Sequence, residues 1–545
     1  MKTSPYPAEY GAGTPAPRRT PARTAARDGR PTAPSRRGSG WALALALAAA
    51  AAAAARAAAP PVNPPCQPSG AGTDYVVGPD PGQLATLAEV PWEALGPGDT
   101  VRIHWQATPY LGKLLLMAEG TAERPVRLCG VPGPKGERPI INGAGATSRA
   151  ALGPHYASSD YDRKYHEGRS VVVIKSSAQA DWTSCPSHIR IDGLEIRNAH
   201  PSRSFTDTAG VKRRYEAFGA CVWVDRGHNV TLAFNRIRGC SQAVFSKSTD
   251  DGDFAVTRDL TLQANEFIGN GVAGADTMHT TYLQSVGLLL EFNHYYPLSA
   301  GAAGNAIKDR SVGTVIRYNR IEGGAHSIDL VEAEDYPQTA LADPRYRRAY
   351  VYGNQIVKPG GTGSAVHYGG DHYTAQRNDT WGEPIFRRGT LYFFHNTLRL
   401  TGGEGVVFQL STTKEQAQVW NNVVIFDAGT QWMRWRASSE VGPPWTPGGV
   451  VRLGRNWVNA GWVDSDEWHH VPGQLLGTEL LVTGDAPPVN LTTWAPLPGG
   501  AAVDAGQAAP PGVSLHPVRW QLDRLARAQP RKVKGAAADL GAVEL

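Results

Sequence analysis

"LAFNRI", residues 232–237, decides the fold, because its pattern returns down the chain: an apolar residue, two variable ones, Asn, one variable residue, an apolar one. The copies are "LAFNRI" (Asn235), "LQANEF" (Asn265), "LEFNHY" (Asn293), "IRYNRI" (Asn319), "VYGNQI" (Asn354), "FFHNTL" (Asn396), "VWNNVV" (Asn422) and "LGRNWV" (Asn456). "IDGLEI" at 191–196 reads as an earlier copy without the Asn. Successive Asn residues lie 30, 28, 26, 35, 42, 26 and 34 residues apart, a spacing that marks a repeat architecture. The units alternate β-branched and aromatic residues between Gly-rich turns and lack a 3.6-residue apolar stripe, so they are strands. Stacked strands make a β-solenoid, whose coils sit about 4.8 Å apart. Identical Asn side chains can hydrogen-bond up such a stack, which places them in turns or inside the coil and away from any site.

The composition agrees. At 545 residues the chain exceeds what one compact core supports, and 61 Gly with 41 Pro leave little room for long helices. The expected class is all-β, a right-handed single-stranded parallel β-helix preceded by an export signal. Residues 1–60 form the leader: a Pro/Ala/Arg-rich start, then "WALALALAAAAAAAA" (41–55), shorter than the roughly 20 residues of a membrane span. Small residues at Ala57–Ala59 offer cleavage sites, and "SRRGSGW" resembles a twin-arginine signal. An uncleaved membrane anchor is the alternative. The leader holds nine Lys/Arg and two acids, so subtracting its +7 from the net +5 leaves the rest near −2. That excludes a charge argument for nucleic acid or anionic membranes as partners. Residues 61–72 read as a linker, 73–150 as cap and first coils, 185–460 as regular coils and 461–545 as less regular C-terminal coils, with 150–184 a polar loop. Cys66, Cys129, Cys185, Cys221 and Cys240 allow two disulfides and one leftover thiol in an oxidising compartment, and their spacing does not suit zinc.

The repeat resembles the secreted right-handed parallel β-helix (pectin-lyase-like) proteins, many of them active on polysaccharides. "DYVVGPDPGQLATL", "WEALGPGDTVRI" and "PIINGAGA" are similar to the opening coils of that class, and "AAVDAG" with "DLGAVEL" to its close. The resemblance implies an exported, monomeric protein acting on polysaccharide.

"GNAIKDRS" (304–311) places Lys308, Asp309 and Arg310 together in a chain only 19% charged. Aligning the strands by their inward residues Leu283, Ile307, Ile328, Val366 and Phe408 puts Gln284, Lys308, Asp329, His367 and Gln409 in one outward column. Arg310, Tyr282 and Glu332 fall one step along, and Tyr295, Tyr296, Tyr368 and Tyr373 are expected to wall a groove. β-Elimination on a uronic-acid polysaccharide needs a base, a cation for the sugar carboxylate and an acid at the leaving oxygen. Lys308 with a lowered pKa is the expected base, Arg310 the neutralising cation, and Asp329 with His367 or Tyr282 the orienting and donating groups. "IKDRSVGTVIRYN" resembles the lysine strand of chondroitinase-B- and alginate-lyase-type polysaccharide lyases, which implies the base role of Lys308. The next coil, "SIDLVEAED", departs from them in lacking Arg-His-Gly. Hydrolysis by paired carboxylates, Asp329 and Glu332, is the second reading and holds only if the strand ends by Val331. Non-catalytic polysaccharide binding is the third, and a solvated ion-pair ladder the bland account of the charges. "STDDGDF" (248–254) and "EAED" (332–335) carry enough carboxylates for Ca²⁺, although neither matches an EF-hand loop; no other cofactor is implied.

Overall fold

The computed structural model describes residues 60–361, 363–372, 383–437, 449–465 and 474–545. Residues 1–59 of the expected leader, with the expected cleavage sites, and Tyr373 lie outside them. Each coil repeats one path. A strand such as Val312–Arg317 ends at the recurring Asn, a short strand such as Arg320–Glu322 follows, and a third such as Ile328–Leu330 completes the coil. Stacked, these make, among the described residues, three sheets of 13, 13 and 11 strands, here the first sheet (before the Asn), the third sheet (last in the coil) and the second sheet (after the Asn), all parallel except for the antiparallel pair Ser204–Thr206 and Lys212–Arg214 at the edge of the third. The expected parallel β-helix is therefore present. Alternation fills the core: in Val312–Arg317, Val312, Thr314 and Ile316 are buried while the residues between are half-buried.

The Asn residues build the corner between the first and second sheets. The residue before each but the last, Asn456, takes a left-handed conformation: Phe234, Ala264, Phe292, Tyr318, His395 and Asn421 have φ of 50–58° and Gly353 has 67°. Non-glycine residues rarely adopt it, so something must hold each corner. That something is the side-chain ladder. Asn319 Oδ1 accepts the main-chain N–H of Asn293 at 2.9 Å and its side-chain N–H at 3.0 Å, and the link repeats from Asn235 to Asn456.

Coils run from Asp74–Val77 to Leu481–Gly484. Beyond them the chain does not stack further coils but folds back, so that Val513, Trp520 and Leu522 cover the corner rings Phe292, Tyr318, Tyr352, Phe394 and Trp420. Cys66 pairs with Cys129 and Cys221 with Cys240, leaving Cys185 as the expected extra thiol. The stretch 150–184 is not the polar loop expected. It holds helix Asp160–Gly168, capped by Ser159 and acidic in its first turn, and strand Ser170–Ile174 of the third sheet. No helix among the described residues is long and apolar enough to cross a membrane.

The longest connections leave the third sheet at its strand ends. Residues 331–347 and the described parts of 369–389 follow Ile328–Leu330 and Val366–Tyr368, and they bring carboxylates back over the sheet's outer face.

Candidate functional site

The outward column of the third sheet reads Trp223, Phe245, Tyr282, Lys308, Asp329, His367, Gln409. Lys308, Asp329, His367 and Gln409 stand as expected. Gln284 does not: Tyr282 is opposite Lys308, and Gln284 falls one step on, level with Arg310. The register is set by a serine step, Ser285 N–H donating to Ser311 Oγ at 2.9 Å, and by Thr281 filling the inward place opposite Ile307. Gln284 instead ties down a loop, donating to Asp335 at 2.6 Å and accepting from Ser248 N–H.

Three tyrosines leave the list of groove residues. Tyr295 and Tyr368 are fully buried in the core, because both sit at inward positions of their strands. Tyr296 is half-buried beyond the second sheet, stacked on His294 at 3.6 Å.

The charges of "GNAIKDRS" are not a solvated ladder, since Lys308, Asp309 and Arg310 are all buried. Asp309 faces inward, in the column of Leu283, Leu330, Tyr368 and Leu410. There its carboxylate accepts from Thr314 Oγ1 at 2.7 Å, Ser311 N at 2.8 Å and Arg387 at 3.1 Å.

Outside, two cations anchor a net of acids. Lys308 Nζ contacts Asp329 Oδ2 at 2.9 Å and also Asp371. Arg310 reaches Glu332 at 3.2 Å, Glu334 at 3.1 Å and Asp371 at 3.1 Å, and donates to the Tyr282 hydroxyl at 2.8 Å. That hydroxyl in turn donates to Glu334 at 2.9 Å. Asn305 donates to Asp329 at 2.7 Å, and His367 Nδ1 lies 2.8 Å from its other oxygen. His367 Nε2 is 3.0 Å from Ser411 Oγ, an order of contacts like a Ser–His–Asp relay. Ser411 is fully buried, however, and its hydroxyl donates to the Gly370 carbonyl at 2.7 Å, so it is a brace and not a nucleophile.

His372 Nδ1 gathers three acids: Glu332 at 2.7 Å, Glu334 at 3.0 Å and Asp371 at 3.2 Å. Asp371 and His372 form the open edge of the net, each side chain 28% exposed, while Glu332 is fully enclosed. Glu332 also accepts from the N–H groups of Asp371 and His372, so it shapes their loop.

The pKa directions sort these groups. Burial would lower the Lys308 pKa, but Asp329 and Asp371 outweigh it and hold the ammonium protonated. The condition for Lys308 as a base, a lowered pKa, is therefore not met. Burial would raise Asp371 and Asp329, yet Arg310 and Lys308 hold the first far below its ordinary value, and Lys308 with His367 the second. Glu334 goes the other way: burial raises it, ahead of the opposing Arg310 and His372. His372 is raised by its hydrogen bond to Glu332 and by Asp371, against burial. Burial leaves His326 neutral, at about 4.

Glu332, Asp371 and His372 could cluster about a metal ion by distance alone. Arg310 already occupies that ground, paired to both carboxylates, so the residues do not fit Ca²⁺ or another cation. "EAED" is spent on Arg310, Tyr282 and Gln284.

Sequence reasoning missed Asp371, His372 and Glu334. All three lie past strand ends, where side-chain alternation no longer predicts direction. The available signal was the density of ionisable residues in "EAED" and "GGDH", immediately after strands of the site-bearing column.

No family profile and no curated protein matches the sequence. Among solved structures the chain is similar to pectate lyase Pel9A, at 10% identity over 87% of this chain and 98% of that one, TM-score 0.33. A GH136 lacto-N-biosidase from Eubacterium ramulus shares 14% identity over 71% and 68% of the chains, TM-score 0.35. The PL6-family alginate lyase AlyGC shares 11% over 86% and 57%, TM-score 0.39. These values are too low to carry any argument about chemistry. The class, a parallel β-helix with an acid-rich site on its third sheet, rests on the strand ladders of this chain.

Proposed function

We propose that this is an exported, single-chain polysaccharide-cleaving β-helix protein that hydrolyses a glycosidic bond with Asp371 as nucleophile and Glu334 as acid. One observation carries the reading. Two carboxyl groups pushed in opposite directions, one raised by burial and one held ionised by Arg310 and Lys308, meet at a single imidazole nitrogen. Carboxyls driven apart in this way are the signature of divided acid and base work. Sharing one nitrogen at 3.0 and 3.2 Å brings them closer than the roughly 6.5–9.5 Å of an inverting pair, towards the roughly 5–5.5 Å of a retaining one. Lys308 and Arg310 keep Asp371 ionised, and Tyr282 with Arg310 orients Glu334.

The charge balance bears on the substrate. Lys308 and Arg310 face four carboxyls, Asp329, Glu332, Glu334 and Asp371, with Glu334 raised towards its neutral form and His372 raised towards its charged one. Both cations are already paired with carboxyls of the site, which leaves neither over for a uronate carboxylate, so a neutral sugar at the point of cleavage is favoured. Elimination remains the second reading, supported by the cations beside the column; it requires a base other than Lys308.

The test is reducing-end release and absorbance near 235 nm on neutral and uronate polymers, with the anomeric configuration of the first product followed by NMR. Hydrolysis with retention, lowered about 10²–10⁴-fold in Glu334→Gln and at least as much in Asp371→Asn, is expected. A rise at 235 nm restores elimination, and silence in every assay with folded protein leaves polysaccharide binding.

A further inference from the structure

The outer face of the third sheet differs on the two sides of the acid cluster. Towards the N-terminal coils it is closed. Trp223, Phe245 and Tyr282 stand at outward positions yet are only 3%, 5% and 6% exposed. Phe218 covers all three edge-on, with ring centroids 6.1, 5.3 and 6.1 Å away, and Arg169 lies over Trp223 at 4.7 Å. This plug of rings abuts the site directly, because Tyr282 is the residue that holds Glu334 and Arg310. Outward aromatic side chains on a sheet face normally border solvent or ligand; here the chain has filled the space itself.

Towards the C-terminal coils the described residues leave the face open. A cavity of about 520 Å³ lies beside the continuation of the site column, with Gln409 and Ala437 in its wall. Gly361, Gly363 and Gly403 also line it, with open space at Gly361 where a side chain would stand, and Glu404 and Arg434 supply polar edges. Ser364, also in the wall, bonds His326, whose ring packs 5.1 Å from that of His367, so cavity and site share a border. Trp432 is 48% exposed and lies against one of the lining residues, Arg434, whose guanidinium is 4.9 Å from its ring. Among the described residues only three aromatic side chains are this exposed, Tyr161, Trp182 and Trp432, and Trp432 is the one on this side of the site. A flat exposed ring beside a polar groove fits the face of a sugar ring.

From this closed end and open end we infer that the site takes the end of a polysaccharide chain, which then runs out over the cavity with Trp432 as a stacking platform. The inference rests on the cleavage reading for its product pattern and on geometry alone for its binding pattern. Two experiments separate them. Wild-type protein is given end-labelled oligosaccharides from glucomannan, xylan, alginate and pectate, and product sizes are followed with time. Asp371→Asn, with and without Trp432→Ala, is titrated calorimetrically with the same oligosaccharides.

A single product size from the first turnover is expected, with little fall in viscosity for each end released. Trp432→Ala should weaken binding of oligosaccharides about 2- to 13-fold, the worth of one aromatic contact. It should leave binding of a monosaccharide unchanged. Phe218→Ala, which thins the plug without touching the acids, should add internal cuts. Products of mixed size from wild-type protein would overturn the chain-end inference and leave the hydrolase reading intact. Binding that depends on Trp432 without any cleavage would sustain the groove and sink the hydrolase. No dependence on Trp432 in either assay, or no binding at all, would overturn the inference.

Discussion

Removing the inward charge at Asp309 gives the most direct check on how the charge triplet is organised. Asp309 and Arg387 are both fully enclosed and 3.1 Å apart. The carboxylate serves three donors, from Ser311, Thr314 and Arg387, while Arg387 also holds the carbonyls of Val331 and Asp309. Asp309→Leu strands a guanidinium in the core, where one of its nitrogens already lacks a partner. Breaking a buried pair from one side costs about 3–5 kcal/mol. The orphaned Ser311 N–H and Thr314 hydroxyl push towards the upper end, without adding in full, because they share one partner. Arg387→Met should cost a similar amount by leaving the carboxylate alone. Replacing both at once removes both charges, so the double variant should lie within about 2 kcal/mol of wild type. The coupling is then about 4 kcal/mol or more. Urea unfolding followed by tryptophan fluorescence, with midpoints compared at constant slope, measures each corner of the cycle. Single variants costing under about 1 kcal/mol with no coupling would mean that the two groups are solvated, and would refute the inward placement of Asp309.

The remaining expectations follow from the ladder and the site. Asn319→Ala strands the Asn293 main-chain and side-chain N–H groups and should cost about 2–5 kcal/mol in thermal or urea unfolding; Asn456→Ala, with no Asn beyond it to receive its own N–H, should cost less. Glu334 is raised and must donate a proton, so hydrolysis should fall as pH rises through its pKa; a pH–rate profile with Glu334→Gln as control tests this limb. Asp329 and Asp371 are depressed, so their stabilisation is present above the unfolded value of about 3.9 and is lost as pH falls through the folded values; Asp329→Asn should flatten the acid limb of a stability–pH curve. Opening Cys221–Cys240, which closes a span of 19 residues, should cost about 3 kcal/mol on reduction, read as a shift in the urea midpoint.

The fold was legible because one residue type does one job in every coil. An Asn at the corner must meet the same backbone and the same neighbour each time, so the chain repeats it, and Asn235 to Asn456 all stand in the ladder. The sheet column was legible for a related reason. Alternation and a 4.8 Å stack leave only the register free, and the inward Ile307, Ile328, Val366 and Phe408 fix it correctly for four coils. It slipped at Tyr282–Lys308, where polar Thr281 occupies an inward place and Leu283 therefore looked like the better match. Tyr368 and Tyr295 were misjudged by the opposite error: a hydroxyl suggested a surface, whereas both rings face the core.

The site resisted reading for a deeper reason. Strand residues in a β-helix are fixed by the lattice of the stack, so the column can supply cations and a scaffold, Lys308, Arg310, Asp329 and His367, at positions that sequence can assign. Chemistry needs groups that approach one another at angles the lattice does not provide, and these come from connections that leave the sheet and return. Glu334 returns through Arg310 and Tyr282, and Asp371 through Lys308, Arg310 and the two N–H bonds that its loop makes to Glu332. The buried cations are therefore the reason the loop acids have defined places: each acid is drawn to a charge that the strand has already positioned. Lys308, expected as the base, does the reverse work. It is an anchor whose charge, together with that of Arg310, holds Asp371 low and, together with His367, holds Asp329 low, so a neutral Lys308→Met should raise the titration of both. NMR of the two carboxyls would show that shift, and independent titration of the pair, unmoved by the loss of the ammonium, would show the anchor role to be mistaken.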